Sequence, residues 1–462
     1  MSDIRSRVAR GLSCGLGMLA LLVFASCAAR LGDGTETFSV PAPTEPKGDL
    51  KDLEIDLLKR RLADSQEKHK KEKVARLVYQ TQVEVAALRG MLPHEPVTHE
   101  KLTPEVLDHL VKDSFERQYP GRSLDLSVWL YEVFGALPAG TDIIALLRDL
   151  LGEQAAGIYD PHSRKLYVSE DYKLDSTMGR MVLAHEIHHA LQDQNYHLLE
   201  MGIEDEQNED LSMSLLAIIE GDATLLMSEH MMRYGNPMGF FADLPGYFMM
   251  DQGKFNAAPP AIQKEMLFPY LEGSNFFTQL DGRTRRRPES DPNSFEIPDP
   301  SWRNQVFEDP PVSTEQILHP EKYLAGEQPA PVEAPPVPTS GDSYQTVVGE
   351  FGIAVLLAPT LGDPAAKRAA AGWNGDRLLI TENAEVTHRT LHWITRWDNA
   401  PDAGEFLQAL ADAFEQLLGE DLIWAIDNPN RTGRTDEATV ELTRPAEDTV
   451  ALHGTFQIQR EQ

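Results

Sequence analysis

The chain predicts an α+β protein in which a short strand region leads into two long apolar helices and a mixed strand-and-helix region closes the sequence. Three observations carry this. Residues 154–159 and 165–169 alternate apolar and polar positions around the turn residues Asp160-Pro161-His162-Ser163, the pattern of a β-hairpin. Apolar residues then recur at helical spacing from Met178 to Leu191, and again over 211–232. Beyond a Pro-rich, extended connector at 328–340, strand and helix patterns alternate to the end.

From the N-terminus, Arg5, Arg7 and Arg10 precede an apolar run at 12–24 that is too short to span a bilayer and has the length of a secretory signal. It ends Val23-Phe24-Ala25-Ser26-Cys27. Small residues before a cysteine resemble a bacterial lipobox, with Phe24 in place of the usual Leu. Residues 1–26 therefore read as a lipoprotein signal and Cys27 as the lipidated first residue of an exported protein anchored to the cell envelope, on its periplasmic or extracellular face. An ordinary signal peptide cut nearby is the alternative. The other cysteine, Cys14, lies inside the signal, so no internal disulfide is expected after cleavage. Residues 27–48 are small, polar and Pro-rich, a flexible tether. Residues 49–96 read as a helical stalk, or a helix packed on the body. Leu50, Leu53, Leu57, Leu58 and Leu62 share one side, but the charged stretch from Gln66 to Lys73 breaks the register of a sustained coiled coil. No later segment is expected to span a membrane. The net charge of −31 excludes nucleic acid and anionic membrane faces as expected partners.

The unit at 97–327 holds the chemistry. Ser176 is placed to cap a helix containing His185-Glu186-Ile187-His188-His189 among Met181, Val182, Leu183, Ala184, Ala190 and Leu191. Two imidazoles four residues apart share a helix face, where both can ligate one zinc ion. Glu186, about 100° around the helix, suits proton abstraction from water rather than ligation. In the next helix Glu220 lies in an apolar stretch, where an unpaired carboxylate is costly and a cation is a common remedy. It is the expected third ligand, with a salt-bridged core residue as the bland alternative. Asp193 and Asp222 are expected to orient imidazoles from behind, and His188 to point off the ligand face.

His185-Glu186-x-x-His189 followed by a glutamate on the next helix resembles the gluzincin metallopeptidases, of which thermolysin is the best-known member. The phrases His189-Ala190-Leu191-Gln192-Asp193-Gln194, Glu220-Gly221-Asp222-Ala223-Thr224, Ser313-Thr314-Glu315-Gln316-Ile317-Leu318-His319-Pro320-Glu321-Lys322-Tyr323 and Ala371-Gly372-Trp373-Asn374-Gly375-Asp376-Arg377 are similar to a family of exported bacterial and archaeal proteins described as candidate zinc metallopeptidases. The resemblance covers roughly residues 97–415. It implies a zincin-type fold, one catalytic Zn2+ on His185, His189 and Glu220, and Glu186 as base. It also implies that the strand before the motif helix, with Leu166, Tyr167 and Val168, is a sheet edge that pairs with an extended substrate. An ordinary core hairpin is the alternative. Thr224 stands where thermolysin-like enzymes place an aspartate, so imidazole orientation must be arranged differently.

His319 and Tyr323 are the candidates for holding the oxyanion of a tetrahedral intermediate, because a polar loop with a Pro stop suits a cleft. Bracing of a helix end is the competing role for His319. Residues 282–300 read as an exposed loop whose Arg283, Arg285, Arg286 and Arg287 form a solvated tip. The C-terminal α+β region, 341–462, is expected to hold a helix at 344–357, strands at 378–381 and 387–397, a helix at 403–418, and strands at 438–443 and 450–459. The expected function is zinc-dependent cleavage of a peptide or protein substrate. A catalytically silent envelope lipoprotein serving as a binding module is the alternative, and hydrolysis of a cell-wall amide a third reading.

Overall fold

The computed structural model describes residues 50–119, 121–154, 157–169, 173–205, 207–235, 253–284, 300–333, 335–338, 340–419, 422–427 and 429–458. The signal, Cys27, the tether and most of the 282–300 loop lie outside the described residues. The described chain is a mixed α+β protein. It begins with a long helix, α1 (Leu50–Arg89), followed by β1 (Thr98–Leu102), α2 (Pro104–Gln118), α3 (Ser123–Val133) and α4 (Ile143–Gln154). The hairpin β2 (Gly157–Asp160) and β3 (Lys165–Ser169) leads into α5 (Thr177–Tyr196), the short α6 (Leu198–Met201) and α7 (Glu209–Tyr234). Next come α8 (Gly253–Ala257), α9 (Pro260–Thr284), a 3-10 turn (Pro300–Arg303), α10 (Asn304–Glu308), α11 (Thr314–Leu318) and α12 (Pro320–Ala325). The C-terminal part runs β4 (Asp342–Thr346), α13 (Gly349–Leu361), α14 (Asp363–Ala370), β5 (Trp373–Glu382), β6 (His388–Trp397), α15 (Ala400–Leu418), β7 (Ile423–Asp427), β8 (Asn430–Arg434), β9 (Ala438–Ala446) and β10 (Thr449–Gln457).

The small sheet has the order β1-β3-β2, with β1 parallel and β2 antiparallel to β3. This corrects the expected edge. Leu166 faces His99 of β1 on one side and Tyr159 of β2 on the other, so Leu166, Tyr167 and Val168 lie in the central strand. A strand that far back in the sequence claims the edge the hairpin leaves open, and nothing local to β3 announces it. The edge beside the motif helix is β2 instead.

The larger sheet is antiparallel in the order β4-β5-β6-β10-β9-β8-β7. The helix expected at 344–357 is in fact β4 followed by α13. Tyr344 and Thr346 are buried at strand spacing, and the turn after them is pinned by Asp376, which accepts from the N–H groups of Val348 and Gly349 and from both indoles, Trp373 and Trp393. Strands β7 and β8 and helix α14 were not expected. Phe134, just past the end of α3, packs against Trp393 and Phe414, and one continuous core joins α2–α4 to the large sheet and its helices. The connector therefore does not separate two independent cores.

Helix α1 is no free stalk over its C-terminal half. Val78, Thr81, Gln82, Val85 and Arg89 form one buried face at i, i+3, i+4, i+7 and i+11, packed with Leu183, Ile187 and Leu191 of α5. Polar members of that face hid it from a hydrophobic pattern. Helix α7 is long and apolar enough to cross a membrane by length and composition, against expectation, but 72% of that window is buried inside the molecule. It is apolar because α5 and α9 enclose it. At its crossing with α9, a Cβ on Gly221 would stand 2.2 Å from the carbonyl carbon of Gly273, so only a glycine pair permits this approach.

Candidate metal centre

Helix α5 starts as its sequence predicts, with Ser176 Oγ accepting from the Gly179 N–H at 3.0 Å. Two turns in, it turns His185 and His189 toward α7. Their Nε2 atoms lie 3.0 Å apart. Glu220 Oε2 stands 3.1 Å from the first and 3.5 Å from the second. All three side chains are buried. A tetrahedral ion with bonds of about 2.0–2.1 Å sets its donors roughly 3.3–3.4 Å apart, so a zinc-sized ion fits this triangle with only small adjustment. Glu220 Oε1 and Glu186 Oε1 are buried without a hydrogen-bond partner, so both keep lone pairs that no protein group uses. A second acidic trio, Glu315, Glu327 and Asp398, is no such site. Lys322 Nζ already occupies the place between them, at 2.7, 2.9 and 2.7 Å.

The three side chains also perturb one another's charge. Burial opposes ionisation of Glu220, but the His189 and His185 rings outweigh it and hold the carboxyl below the usual range. Burial likewise works against a charged His189, and the Glu220 carboxylate overrides it and raises that ring. For His185 burial wins and the ring is lowered, despite Glu220. Glu186 lies beside the triangle without joining it. Its Oε2 accepts the Tyr159 N–H from the outer edge of β2 at 2.7 Å. Burial, together with the nearby Glu220, pushes it up to about 8 against the opposing effects of His189 and that N–H.

The surrounding contacts differ from those expected. Asp193 orients no imidazole: it accepts from Tyr159 Oη at 2.8 Å and from the Leu198 N–H at 3.1 Å. One turn past His189, it faces β2 rather than α7. His189 Nδ1 instead meets Gln192 Oε1 at 2.9 Å. Asp222 touches His188 Nε2 at 2.9 Å and reaches His189 only through Gln192 Nε2, at 3.3 Å. His188, expected off the ligand face, stands apart from the triangle and is buried against that carboxylate. Two guanidiniums, Arg89 of α1 and Arg303 of the 3-10 turn, each pair with Asp222 at 3.0 Å. Gln192, Arg89 and Arg303 were missed. A second carboxylate in the apolar α7, two residues past Glu220, was the available signal that a buried cation must exist.

His319 and Tyr323 are not brought to the triangle. His319 Nε2 pairs with Glu350 Oε1 of α13 at 3.0 Å, and Tyr323 Oη donates to the Asp309 carbonyl at 2.8 Å while its ring meets Phe276 edge-on. The segment folds into the two short helices α11 and α12, whose polar groups brace α13 and α10 rather than line a cleft.

Residues 336–458 match a family model described as a domain of unknown function, DUF8575. The match spans the seven-stranded sheet with its helices and leaves the His185, His189 and Glu220 triangle outside it. No curated protein and no solved structure matches the chain.

Proposed function

We propose that the chain is a zinc metallopeptidase of the gluzincin type, with a zincin-like sheet, motif helix and glutamate helix, tethered to the bacterial envelope. One observation carries the reading: the buried atoms His185 Nε2, His189 Nε2 and Glu220 Oε2 converge within 3.0–3.5 Å beside a separate carboxylate, Glu186. Zinc held there would polarise a scissile carbonyl and acidify the attacking water. Glu186 would take the water proton at Oε1, which has no other partner, and return it to the leaving amine, while the Tyr159 N–H fixes Oε2. The outer edge of β2, from Gly157 to Tyr159, replaces β3 as the proposed place for an extended substrate backbone, because it is the sheet edge nearest Glu186, to which its Tyr159 N–H remains bound.

The test measures zinc by elemental mass spectrometry and cleavage of a peptide library on the purified chain. About one zinc per chain is expected, with little in His185→Ala. Glu186→Gln should keep zinc and lose about 100-fold or more in cleavage rate. Cleavage at the wild-type rate by a zinc-loaded Glu186→Gln protein overturns the mechanism.

A second reading has its own observation. His185, Glu186, His189 and Glu220 are each at most 2% exposed, and closed metal sites are characteristic of structural zinc. Full zinc loading without cleavage of peptides or cell-wall amides would favour the binding module. The envelope anchor is tested separately. Cys27→Ser should move the full-length protein from the membrane pellet to the soluble fraction, and an unchanged pellet would refute lipidation at that residue.

A further inference from the structure

We infer that the last residue of α1, Arg89, is a positioning residue of the metal centre, acting through Asp222 and Gln192 to fix the tautomer of His189. The inference rests on the zinc reading above and deepens it.

The chain of contacts has one consistent set of donors. Gln192 Nε2 faces two acceptors, the Ile219 carbonyl at 3.0 Å and Asp222 Oδ2 at 3.3 Å. Neither can donate to an amide oxygen, so the amide must present its nitrogen to them and its oxygen to His189. That oxygen lies 2.9 Å from His189 Nδ1 and can only accept. The proton of a neutral His189 is therefore on Nδ1, and Nε2 offers its lone pair toward His185 and Glu220. A flipped Gln192 would reverse this, placing an N–H where the ion must sit.

The Ile219 carbonyl and Asp222 together prevent the flip, and Asp222 is the one of the two that side chains hold in place. Its two oxygens are gripped by Arg89 Nε at 3.0 Å each, and Arg303 Nη1 adds an ion pair at 3.0 Å. Arg89 is itself held by Asn304 Oδ1 at 2.6 Å. Arg89 and Asp222 have no exposed side-chain surface. Held by two guanidiniums, the Asp222 carboxylate keeps its place beside the Gln192 amide. A partner 133 residues away in sequence thereby sets the readiness of a ligand. Orienting partners of this kind typically change metal affinity by about 10–100-fold when removed.

The experiment measures zinc affinity by chelator competition and the visible spectrum of the cobalt-substituted protein, on the full chain. Arg89→Met should weaken zinc binding about 10–100-fold and alter the cobalt bands, and Gln192→Met, which leaves every charge in place, should do the same. Arg180→Met is the control. Its ion pair with Glu84, at 2.8 Å, also clamps α1 to α5 but does not reach a ligand, and its removal should leave affinity and spectrum near wild type. Wild-type affinity in Arg89→Met or in Gln192→Met overturns the inference, and so does equal loss in Arg180→Met, which would make α1 a mere brace. A wild-type chain that takes up no zinc overturns the metal reading itself and this inference with it.

Discussion

Replacing Gly221 by alanine is the sharpest test of how the packing of α7 sets the site. The added Cβ would stand 2.2 Å from the Gly273 carbonyl carbon, where ordinary contact begins near 3.4 Å, so the helices must part by about 1.2 Å. The obstacle is backbone, which cannot rotate away. Overpacking of this kind costs about 1–3 kcal/mol, and the usual gain of roughly 0.5–1 kcal/mol for alanine over glycine inside a helix offsets part of it. A net loss of about 1–2 kcal/mol is expected from urea denaturation. Glu220 is the preceding residue on the same helix, so a displacement near 1 Å also exceeds the few tenths of an ångström that a zinc bond tolerates, and zinc affinity should fall with stability. Gly404→Ala supplies the contrast. In α15 its Cβ would meet only the end of Arg444 at 3.7 Å, and it should gain roughly 0.5–1 kcal/mol. A Gly221→Ala protein as stable and as zinc-retentive as wild type would refute the argument that this crossing positions Glu220.

The other predictions concern zinc loading and cleavage in His185→Ala and Glu186→Gln, the affinity order of Arg89→Met, Gln192→Met and Arg180→Met, membrane release by Cys27→Ser, and one pH dependence. Glu265 of α9, hydrogen-bonded to Tyr131, is pushed up by burial to about 8 from an ordinary 4.5, the Tyr131 hydroxyl opposing and Glu209 adding. Between those values the folded state holds a proton that the unfolded state has lost, so stability falls as pH rises, by up to about 1.4 kcal/mol per pH unit. Its contribution is intact below pH 4.5 and gone above pH 8. Glu265→Gln should flatten the fall in urea midpoint between pH 5 and pH 8, and an unchanged slope would assign the proton to another buried carboxyl such as Asp210.

The three donors were legible because their signals are local. A four-residue spacing fixes His185 and His189 on one helix face, the cap at Ser176 starts that helix, and a lone carboxylate in an apolar run marks Glu220. The alternating runs at 438–443 and 450–459 likewise mark β9 and β10, because strand period is read within one segment. What failed was non-local. The edge status of β3 depended on β1, and the orienting role expected of Asp193 fell to Gln192, because the facing helix determines which side of α5 looks toward α7. His319 and Tyr323 had suitable chemistry, but the fold of α11 and α12 commits them to Glu350 and Asp309. The sequence alone determined which side chains can ligate and which helices carry them, since helical period and burial cost act over a few residues. Only the tertiary structure decided that Arg89 and Arg303 neutralise Asp222, and that glycines set the distance from α7 to α9. Ion pairing and close approach act between segments far apart in sequence, where no local spacing records them.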